Sequence, residues 1–197
     1  AQAEQLTVFQ RTANYVIPAH NETLQPADIA TIKRDYLQLR LRNKEYPFAF
    51  FFETTGQSVF EFTPQEREQI YEAAWARGGL MFMGSFSDLL LDPAANATAQ
   101  EFFRRKLNAI VSNPATAEML TPDFALGCKR LVVGTDFYET FNRPNVELVS
   151  IKHAPIERIT PNGLVVAGKE YPVDAIVFAT GFDANSGPIL RIDIRGR

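Results

Sequence analysis

The chain has 197 residues, of which 46% are hydrophobic and 22% charged, and its formal net charge is −3. This is the composition of a globular protein of one or two domains, and the weak negative charge gives no reason to expect nucleic acid or an acidic membrane surface as a partner. The single cysteine excludes an internal disulfide, and the absence of a bilayer-length apolar run or a basic signal peptide favours a cytoplasmic protein.

The first predicted element is a short apolar strand, Leu6–Gln10, which ends in Arg11 and Thr12. In a dinucleotide-binding βαβ unit the second strand ends at the adenosine ribose, where an arginine accommodates the 2′-phosphate of NADP. Arg11 offers a guanidinium fork and Thr12 a neutral hydroxyl donor, and both suit a phosphate. Taken alone, this stretch fits an exposed arginine at the end of a strand better than a phosphate site.

A helical insertion or subdomain is predicted over residues 26–120. Its first helix has one apolar face, formed by Ile29, Ile32, Tyr36 and Leu39. The second helix is predicted to begin with Thr63 as N-cap, Pro64 at its first position and Glu66 completing a capping box. Apolar faces of this kind are more typical of a protein core than of a cofactor site.

Two more helices are predicted in this region. An apolar helix is expected over residues 80–91, and a following one is expected to be capped by Thr98 and to end near Asn113-Pro114. Residues 46–62 are predicted to form an irregular connection. The sequence Asn96-Ala97-Thr98 matches the N-glycosylation pattern, which we interpret as a chance match.

The composition changes again at residue 121. The adjacent cations Lys129 and Arg130 follow Gly127 and lead into a predicted strand or turn at residues 131–133. By itself this pair also fits a solvated basic loop. A strand is predicted over residues 145–149, and short antiparallel strands are expected at 155–159, 163–167 and 170–171.

In residues 174–178, Asp174 is followed by an apolar run, and Ile176, Val177 and Phe178 lack the alternation of a strand with one wet face. The run therefore predicts a strand covered on both faces, as in a parallel α/β sheet. Ala179 and Gly181 bring bare backbone to its carboxyl end, where open α/β sheets bind ligands, although a core strand ending in a turn gives the same pattern. We expect this strand to share one largely parallel sheet with Leu6–Gln10 and residues 146–149.

Other types of site have little support. His20 and His153 are far apart in sequence, so no metal site is predicted. No glycine-rich phosphate fingerprint follows a strand, so such a loop would lie upstream of residue 1. The bare first strand and the strand-like residues 189–194 at the other end predict a piece of a longer protein.

Four motifs with fitting separations resemble those of the Baeyer–Villiger monooxygenases of the phenylacetone, steroid and cyclohexanone type. In chain order they are Val8-Phe9-Gln10-Arg11-Thr12, Gly127-Cys128-Lys129-Arg130, Phe137-Tyr138-Glu139-Thr140-Phe141-Asn142-Arg143-Pro144-Asn145-Val146, and Ala179-Thr180-Gly181-Phe182-Asp183. The sequence departs from many relatives at Phe124-Ala125-Leu126, which bears on the shape of the loop before the cations.

The resemblance implies an α/β protein with a partial Rossmann-like parallel sheet, a large helical insertion and a small antiparallel element. Residues 1–25 and 121–180 would be the two parts of an NADP domain interrupted by the insertion, and residues 181–197 a linker that begins the return to an FAD domain. In this family NADPH reduces FAD, and a flavin peroxide then converts a ketone to an ester or lactone. The partners would be the ketone, O₂ and the missing FAD-domain segments; the isolated piece would be inactive and would self-associate through exposed apolar surface.

The resemblance also assigns roles to four residues. Arg11 and Thr12 match contacts to the NADP 2′-phosphate, Lys129 matches a lysine that helps hold it, and Arg130 matches an arginine that stabilises the anionic flavin peroxide. A fixed cation beside developing negative charge is a large catalytic effect. The alternatives are a flavin monooxygenase acting on nitrogen or sulfur and a non-catalytic nucleotide-binding or interaction module.

Overall fold

The computed structural model describes residues 3–46, 55–181, 187, 190–193, 195 and 196. The chain divides into two compact units, Ala1–Lys152 and His153–Arg197. The first contains two parallel strand pairs and the helices, and the second contains an antiparallel sheet. The mixed α/β class predicted from the sequence is therefore confirmed.

The parallel part of the fold consists of two separate strand pairs. Strand β1 (Leu6–Gln10) lies parallel to β4 (Val146–Ser150), with Leu6 opposite Val146. Strand β2 (Val16–Pro18) lies parallel to β3 (Val132–Gly134). The first pairing confirms the expected parallel arrangement, whereas β2 has only three residues and was not predicted.

The region between β2 and β3 is mainly helical, as predicted. Its α-helices are α1 (Pro26–Asn43), α2 (Pro64–Arg77), α3 (Pro93–Ile110) and α4 (Pro114–Leu120). Short 3₁₀ helices span Val59–Glu61 and Gly79–Gly84 in this region, and another, Glu139–Asn142, follows β3. The predicted capping box of α2 is present, because the Thr63 hydroxyl accepts from Glu66 N–H and the Glu66 carboxylate accepts from Thr63 N–H.

Two helix predictions in this region were wrong. Residues 80–91 do not form an α-helix, because Gly78 and Gly79 have φ angles of 75° and 71° and the chain continues as a 3₁₀ turn. Helix α3 begins earlier than expected, with Asp92 as its N-cap rather than Thr98. The Thr98 hydroxyl lies inside the helix, where it donates to Ala95 O over 2.7 Å.

The core of the first unit lies around α2, α3 and β2. Its largest fully buried side chains are Tyr15, Tyr71, Phe82, Phe86, Phe102, Phe103, Ile17, Leu89, Leu107, Leu120, Leu126 and Val59. Helix α1 contributes no buried residue to this core. The expectation that its apolar face is core was therefore wrong: Ile29, Ile32 and Leu39 are about two-fifths exposed, because none of the described elements covers them.

The second unit is built on three antiparallel strands, β5 (Ile156–Thr160), β6 (Gly163–Val166) and β7 (Lys169–Pro172). The central strand β6 is buried, and Ala167 and Gly168 form the turn to β7 with φ angles of 50° and 73°. These short strands confirm the antiparallel element expected from the sequence.

The predicted strand at residues 174–178 was wrong. The segment is irregular, with Val177 90% and Phe178 66% exposed. A strand needs a neighbour for its backbone N–H and C=O groups, and no described strand pairs with this segment. The continuation through Phe182 and Asp183, residues 47–54 of the predicted irregular connection, and parts of the segment 189–194 lie outside the described residues.

Among the residues that the structure describes, none of the helices combines the length and the hydropathy needed to cross a bilayer.

Candidate functional site

The two predicted cationic segments lie next to each other at the amino-terminal end of the β2–β3 pair. Residues Arg11–Asn14 precede β2, and Lys129-Arg130 precedes β3. Because these strands are parallel, both segments lie at the same end of the strand pair. The Asn14 side-chain amide donates to Arg130 O over 3.1 Å. Further along the two segments, Val132 N–H donates a backbone hydrogen bond to Tyr15 O over 3.1 Å. The fold thus joins segments that are more than a hundred residues apart in sequence.

Arg11 and Thr12 lie directly after the carboxyl end of β1, and both are exposed. The end of this strand is held in place by Gln10, whose O accepts from Ile151 N–H and whose side chain donates to Met119 O over 2.8 Å. The carboxyl ends of parallel strands are the usual ligand-binding edge of α/β sheets. Arg11 forms no ion pair with any carboxylate of the described residues.

Lys129 lies over an aromatic ring. Its ammonium nitrogen is 4.4 Å from the centroid of the Phe124 ring, a cation–π contact. The neighbouring Asp123 pairs instead with Lys152 over 2.6 Å, and this hydrogen bond, with a smaller contribution from the charge of Lys129, holds the pKa of Asp123 below its usual range. Within the described part of the chain, no carboxylate pairs with Lys129, so its charge is available to an anion.

The Phe124 ring is itself anchored to the core by Tyr15. The Tyr15 hydroxyl donates to Phe124 O over 2.6 Å, and the two rings meet edge to face at 5.5 Å. Tyr15 also meets Phe103 of α3 edge to face at 4.9 Å. Burial raises the pKa of Tyr15 to about 12. The ring beneath Lys129 is therefore fixed by both a hydrogen bond and packing.

The loop before Lys129 is tied to α3 by Asn96. This side chain is buried, and its amide donates to Leu89 O and Leu126 O, each over 2.9 Å. Its carbonyl oxygen accepts from Leu126 N–H over 2.9 Å and from the Gln100 side chain over 3.0 Å. Sequence reasoning missed this residue and considered it only as a chance glycosylation match. The signal was a polar residue on the same helical face as Ala99 and Phe103.

Arg130 is exposed and forms part of the lining of a cavity of about 320 Å³. The other lining residues are Leu80, Leu131, Val132 and Val133. No carboxylate among the described residues neutralises Arg130 by an ion pair. The arrangement is an exposed cation beside apolar side chains.

The long motif at residues 137–146 has a structural role. The buried Tyr138 hydroxyl accepts from Val16 N–H over 3.1 Å, and burial raises the pKa of this phenol well above its usual value. The Asn142 side chain accepts from Ser112 N–H and donates to Ile110 O, which closes the end of α3. This motif therefore holds β2 and α3 in place rather than contributing a reactive group.

A metal centre finds no support, since the described residues contain no group of three or more His, Cys, Asp or Glu side chains placed to hold an ion.

No family model matches the chain. It is 42% identical over 198 residues to a Baeyer–Villiger monooxygenase of Pseudooceanicola batsensis, 41% identical to a phenazine N-monooxygenase of Lysobacter antibioticus, and 36% identical to a cyclohexanone 1,2-monooxygenase of Acinetobacter. Each match covers 99% of this chain but only 36% of the relative. The chain thus spans about a third of the length of the curated relatives it matches.

Solved structures give the same assignment. Steroid monooxygenase bound to NADP matches 95% of this chain with a TM-score of 0.88 and 46% identity. An open structure of cyclohexanone monooxygenase matches 98% with a TM-score of 0.90 and 43% identity, and a complex of OTEMO with FAD and NADP matches 99% with a TM-score of 0.94 and 36% identity. Sequence and fold agree over nearly every residue of this chain, which therefore corresponds to a segment making up 36% of the length of the Baeyer–Villiger monooxygenase and the OTEMO structure that it matches.

Proposed function

We propose that this chain is the NADP-binding part of an NADPH- and FAD-dependent Baeyer–Villiger monooxygenase that converts ketones to esters or lactones. The observation that carries the proposal is the Asn14–Arg130 hydrogen bond, which joins the Arg11–Thr12 segment to the Lys129–Arg130 segment. Residues 1–25 and 121–180 would form the two parts of the NADP domain, with residues 26–120 as the helical insertion and 181–197 as the linker toward the FAD domain.

The residues present fit the phosphate of NADP. Arg11 and Lys129 are exposed cations that no described carboxylate neutralises, and Thr12 adds a hydroxyl donor. A guanidinium fork, an ammonium group and a neutral hydroxyl together match a dianionic phosphate. In this arrangement Arg11 and Thr12 bind the phosphate from the end of β1, and Lys129 binds it from the loop before β3.

Arg130 is proposed as the catalytic cation. When bound, NADPH supplies a hydride, and FAD is the group on which O₂ is activated. The proposed role of Arg130 is to place a fixed positive charge where negative charge develops during oxygen transfer. The other residues that line its pocket, Leu80, Leu131, Val132 and Val133, are apolar and bring no competing charge.

N-oxygenation is the second candidate, because the phenazine N-monooxygenase is nearly as similar to this chain as the Baeyer–Villiger enzyme, at 41% against 42% identity. Both reactions would use the same NADP-binding residues. They differ in the atom that receives oxygen, a carbonyl carbon or an aromatic nitrogen. We place ketone oxidation first because further relatives that match nearly the whole chain are named for the oxidation of cyclopentanone and cyclohexanone.

Product analysis separates these candidates. The test uses the complete enzyme, meaning the FAD-loaded protein that contains this chain and has the full length of its relatives. It is supplied with NADPH, air and either a cyclic ketone or phenazine. We expect lactone from the ketone; formation of phenazine N-oxide without lactone would establish the second candidate. Absence of NADPH oxidation and of both products would favour the non-catalytic module.

Arg130→Ala then tests the catalytic assignment. We expect NADPH oxidation to persist and product formation to fall by about two to three orders of magnitude, with the oxygen released as hydrogen peroxide. Arg40→Ala, which removes another exposed arginine on α1, is the matched control and should leave product formation unchanged. Product formation by Arg130→Ala at the wild-type rate would remove Arg130 from the reaction.

The proposed partners of this segment are the remaining FAD-domain segments of the same protein, a small ketone and O₂. We propose a cytoplasmic location, consistent with a single exposed thiol at Cys128. Nucleic acid and a membrane are not proposed as partners.

A further inference from the structure

We propose that Asn96 is a positioning residue for NADPH: it fixes the loop that carries Lys129, and thereby sets the preference of the enzyme for NADPH over NADH. The inference rests on the proposed function, because it assumes that Lys129 binds the 2′-phosphate. It adds a residue from the helical insertion, remote in sequence from both cationic segments, to the set that determines cofactor choice.

The hydrogen bonds of Asn96 use the full capacity of its side chain. A carboxamide has two donor hydrogens and an oxygen that accepts two bonds. Here the donors bond Leu89 O and Leu126 O, and the oxygen accepts from Leu126 N–H and Gln100. Leu126 therefore has both its backbone groups bonded to one side chain, which fixes the position and the orientation of its peptide groups.

This bonding is notable because its surroundings are apolar. Asn96 is only 5% exposed and lies in α3 beside the buried Ala95 and Ala99. A buried carboxamide contributes little net stability, since its bonds replace bonds to water, but each unmade bond costs free energy. A fully satisfied buried polar group therefore selects one arrangement of its partners over others.

The position of Leu126 constrains that of Lys129, because the connection between them is short. Only Gly127 and Cys128 lie between them, and this connection is itself constrained: Gly127 has a φ of 90°, and Cys128 N–H donates to Ala125 O over 3.1 Å. A Cβ on Gly127 would lie 2.7 Å from Leu90 Cδ2, so the backbone passes close to the insertion.

The far end of the connection is fixed as well. Arg130 O is bonded by Asn14, and Val132 begins the pairing with β2. Lys129 therefore lies between two residues with fixed backbones: Leu126, which is bonded by Asn96, and Arg130, which is bonded by Asn14. Loss of the Asn96 bonds would release the Leu126 backbone and move the Lys129 ammonium group relative to Arg11. The bond from Asn14 to Arg130 would remain.

The test is Asn96→Leu in the complete enzyme, a neutral change of similar size that removes all four bonds. We expect the KM for NADPH to rise roughly tenfold, as for one weakened charged hydrogen bond, while the KM for NADH changes less than twofold. NADH lacks the 2′-phosphate, so its KM is independent of the contacts that Lys129, Arg11 and Thr12 make to that group. Rates are compared with flavin content and Tm for each variant.

Asn142→Leu is the matched control, because this asparagine also bonds two backbone groups but lies at the end of α3, away from the cationic loop. It should lower Tm without changing the ratio of the two KM values. If Asn96→Leu also lowers Tm and raises both KM values equally, or leaves both unchanged, Asn96 is merely structural and the inference is wrong.

A milder variant covers the case in which Asn96→Leu does not bind FAD. Gln100→Leu removes only the donor to the Asn96 carbonyl oxygen, and we expect a smaller rise, confined to NADPH; an unchanged KM ratio overturns the inference. Arg11→Ala distinguishes failure of this inference from failure of the proposed function. If the proposed function is wrong, Arg11→Ala as well as Asn96→Leu leaves the preference for NADPH unchanged. A selective effect of Arg11→Ala together with no effect of Asn96→Leu contradicts the inference alone.

Discussion

At the scale of single residues, the candidate site combines cations that are visible in the sequence with amides that are not. Arg11 and Lys129 stand beside recognisable strand ends and glycines, so their chemistry could be predicted locally. Asn14 and Asn96 act through hydrogen bonds to residues 116 and 30 positions away, and only the fold brings those partners together. Their roles therefore could not be predicted from neighbouring residues.

Three buried tyrosines predict how the first unit responds to alkaline pH. Burial raises the pKa of Tyr15 and of Tyr71 to about 12, and that of Tyr138 further, from the usual 10. The unfolded chain therefore loses these protons first, so stability is complete below about pH 10 and falls as the pH rises through the raised values. Urea unfolding between pH 9 and 11.5 measures this loss.

Tyrosinate absorbance is the companion measurement. Of the six tyrosines in the chain, we expect Tyr15, Tyr71 and Tyr138 to ionise only above pH 11, together with unfolding. Tyr71→Phe should reduce the dependence of stability on pH in this range. Ionisation of all six near pH 10 in a folded chain would contradict the burial of these phenols.

At the scale of elements, the prediction of a helix cap was correct, whereas one strand and one helix were predicted wrongly for identifiable physical reasons. The capping box of α2 is a four-residue signal, and it is present. The apolar run 174–178 has a strand-like sequence, but a strand also needs a neighbour, and none of the described strands provides one. In residues 80–91 the apolar pattern suggested a helix, but Gly78 and Gly79 favour a left-handed backbone and a tight 3₁₀ turn.

The cap of α2 gives a test at this scale. Thr63→Ala removes the hydroxyl that accepts from Glu66 N–H over 3.3 Å, and we expect the free energy of unfolding to fall by about 1 kcal/mol. Thr23→Ala, at an exposed position before α1, is the control and should have no measurable effect. Equal urea midpoints for Thr63→Ala and the wild type would show that the cap does not stabilise the fold.

At the scale of the whole molecule, the exposed apolar side chains are the most informative feature. Val177, Phe178 and Leu91 are about two-thirds exposed or more, and α1 keeps its apolar face uncovered by the described residues. Because the chain spans 36% of its relatives, we infer that segments outside it cover part of this surface. The α/β class and the helical insertion could be predicted from the sequence, but the extent of this uncovered surface could not.

This surface predicts that the isolated chain self-associates. We expect sedimentation velocity to show a sedimentation coefficient that rises with protein concentration, because exposed apolar side chains associate in water. Val177→Asp with Phe178→Asp should reduce this association, and Glu157→Asp, a conservative change at an exposed position, should not. A monomer at every concentration would mean that the apolar groups do not form a cohesive surface.

The central claim is that the Arg11 and Lys129 segments form one site for the NADP 2′-phosphate. The most direct measurement is the steady-state KM of the complete enzyme for NADPH and for NADH, in the wild type, Arg11→Ala, Lys129→Ala and the control Arg40→Ala. We expect each of the two site variants to raise the KM for NADPH by about tenfold to a hundredfold, as for loss of a charged hydrogen bond of on the order of 1.5–3 kcal/mol, with little change for NADH. Equal losses with both cofactors, or a selective effect of only one of the two variants, would contradict a shared phosphate site.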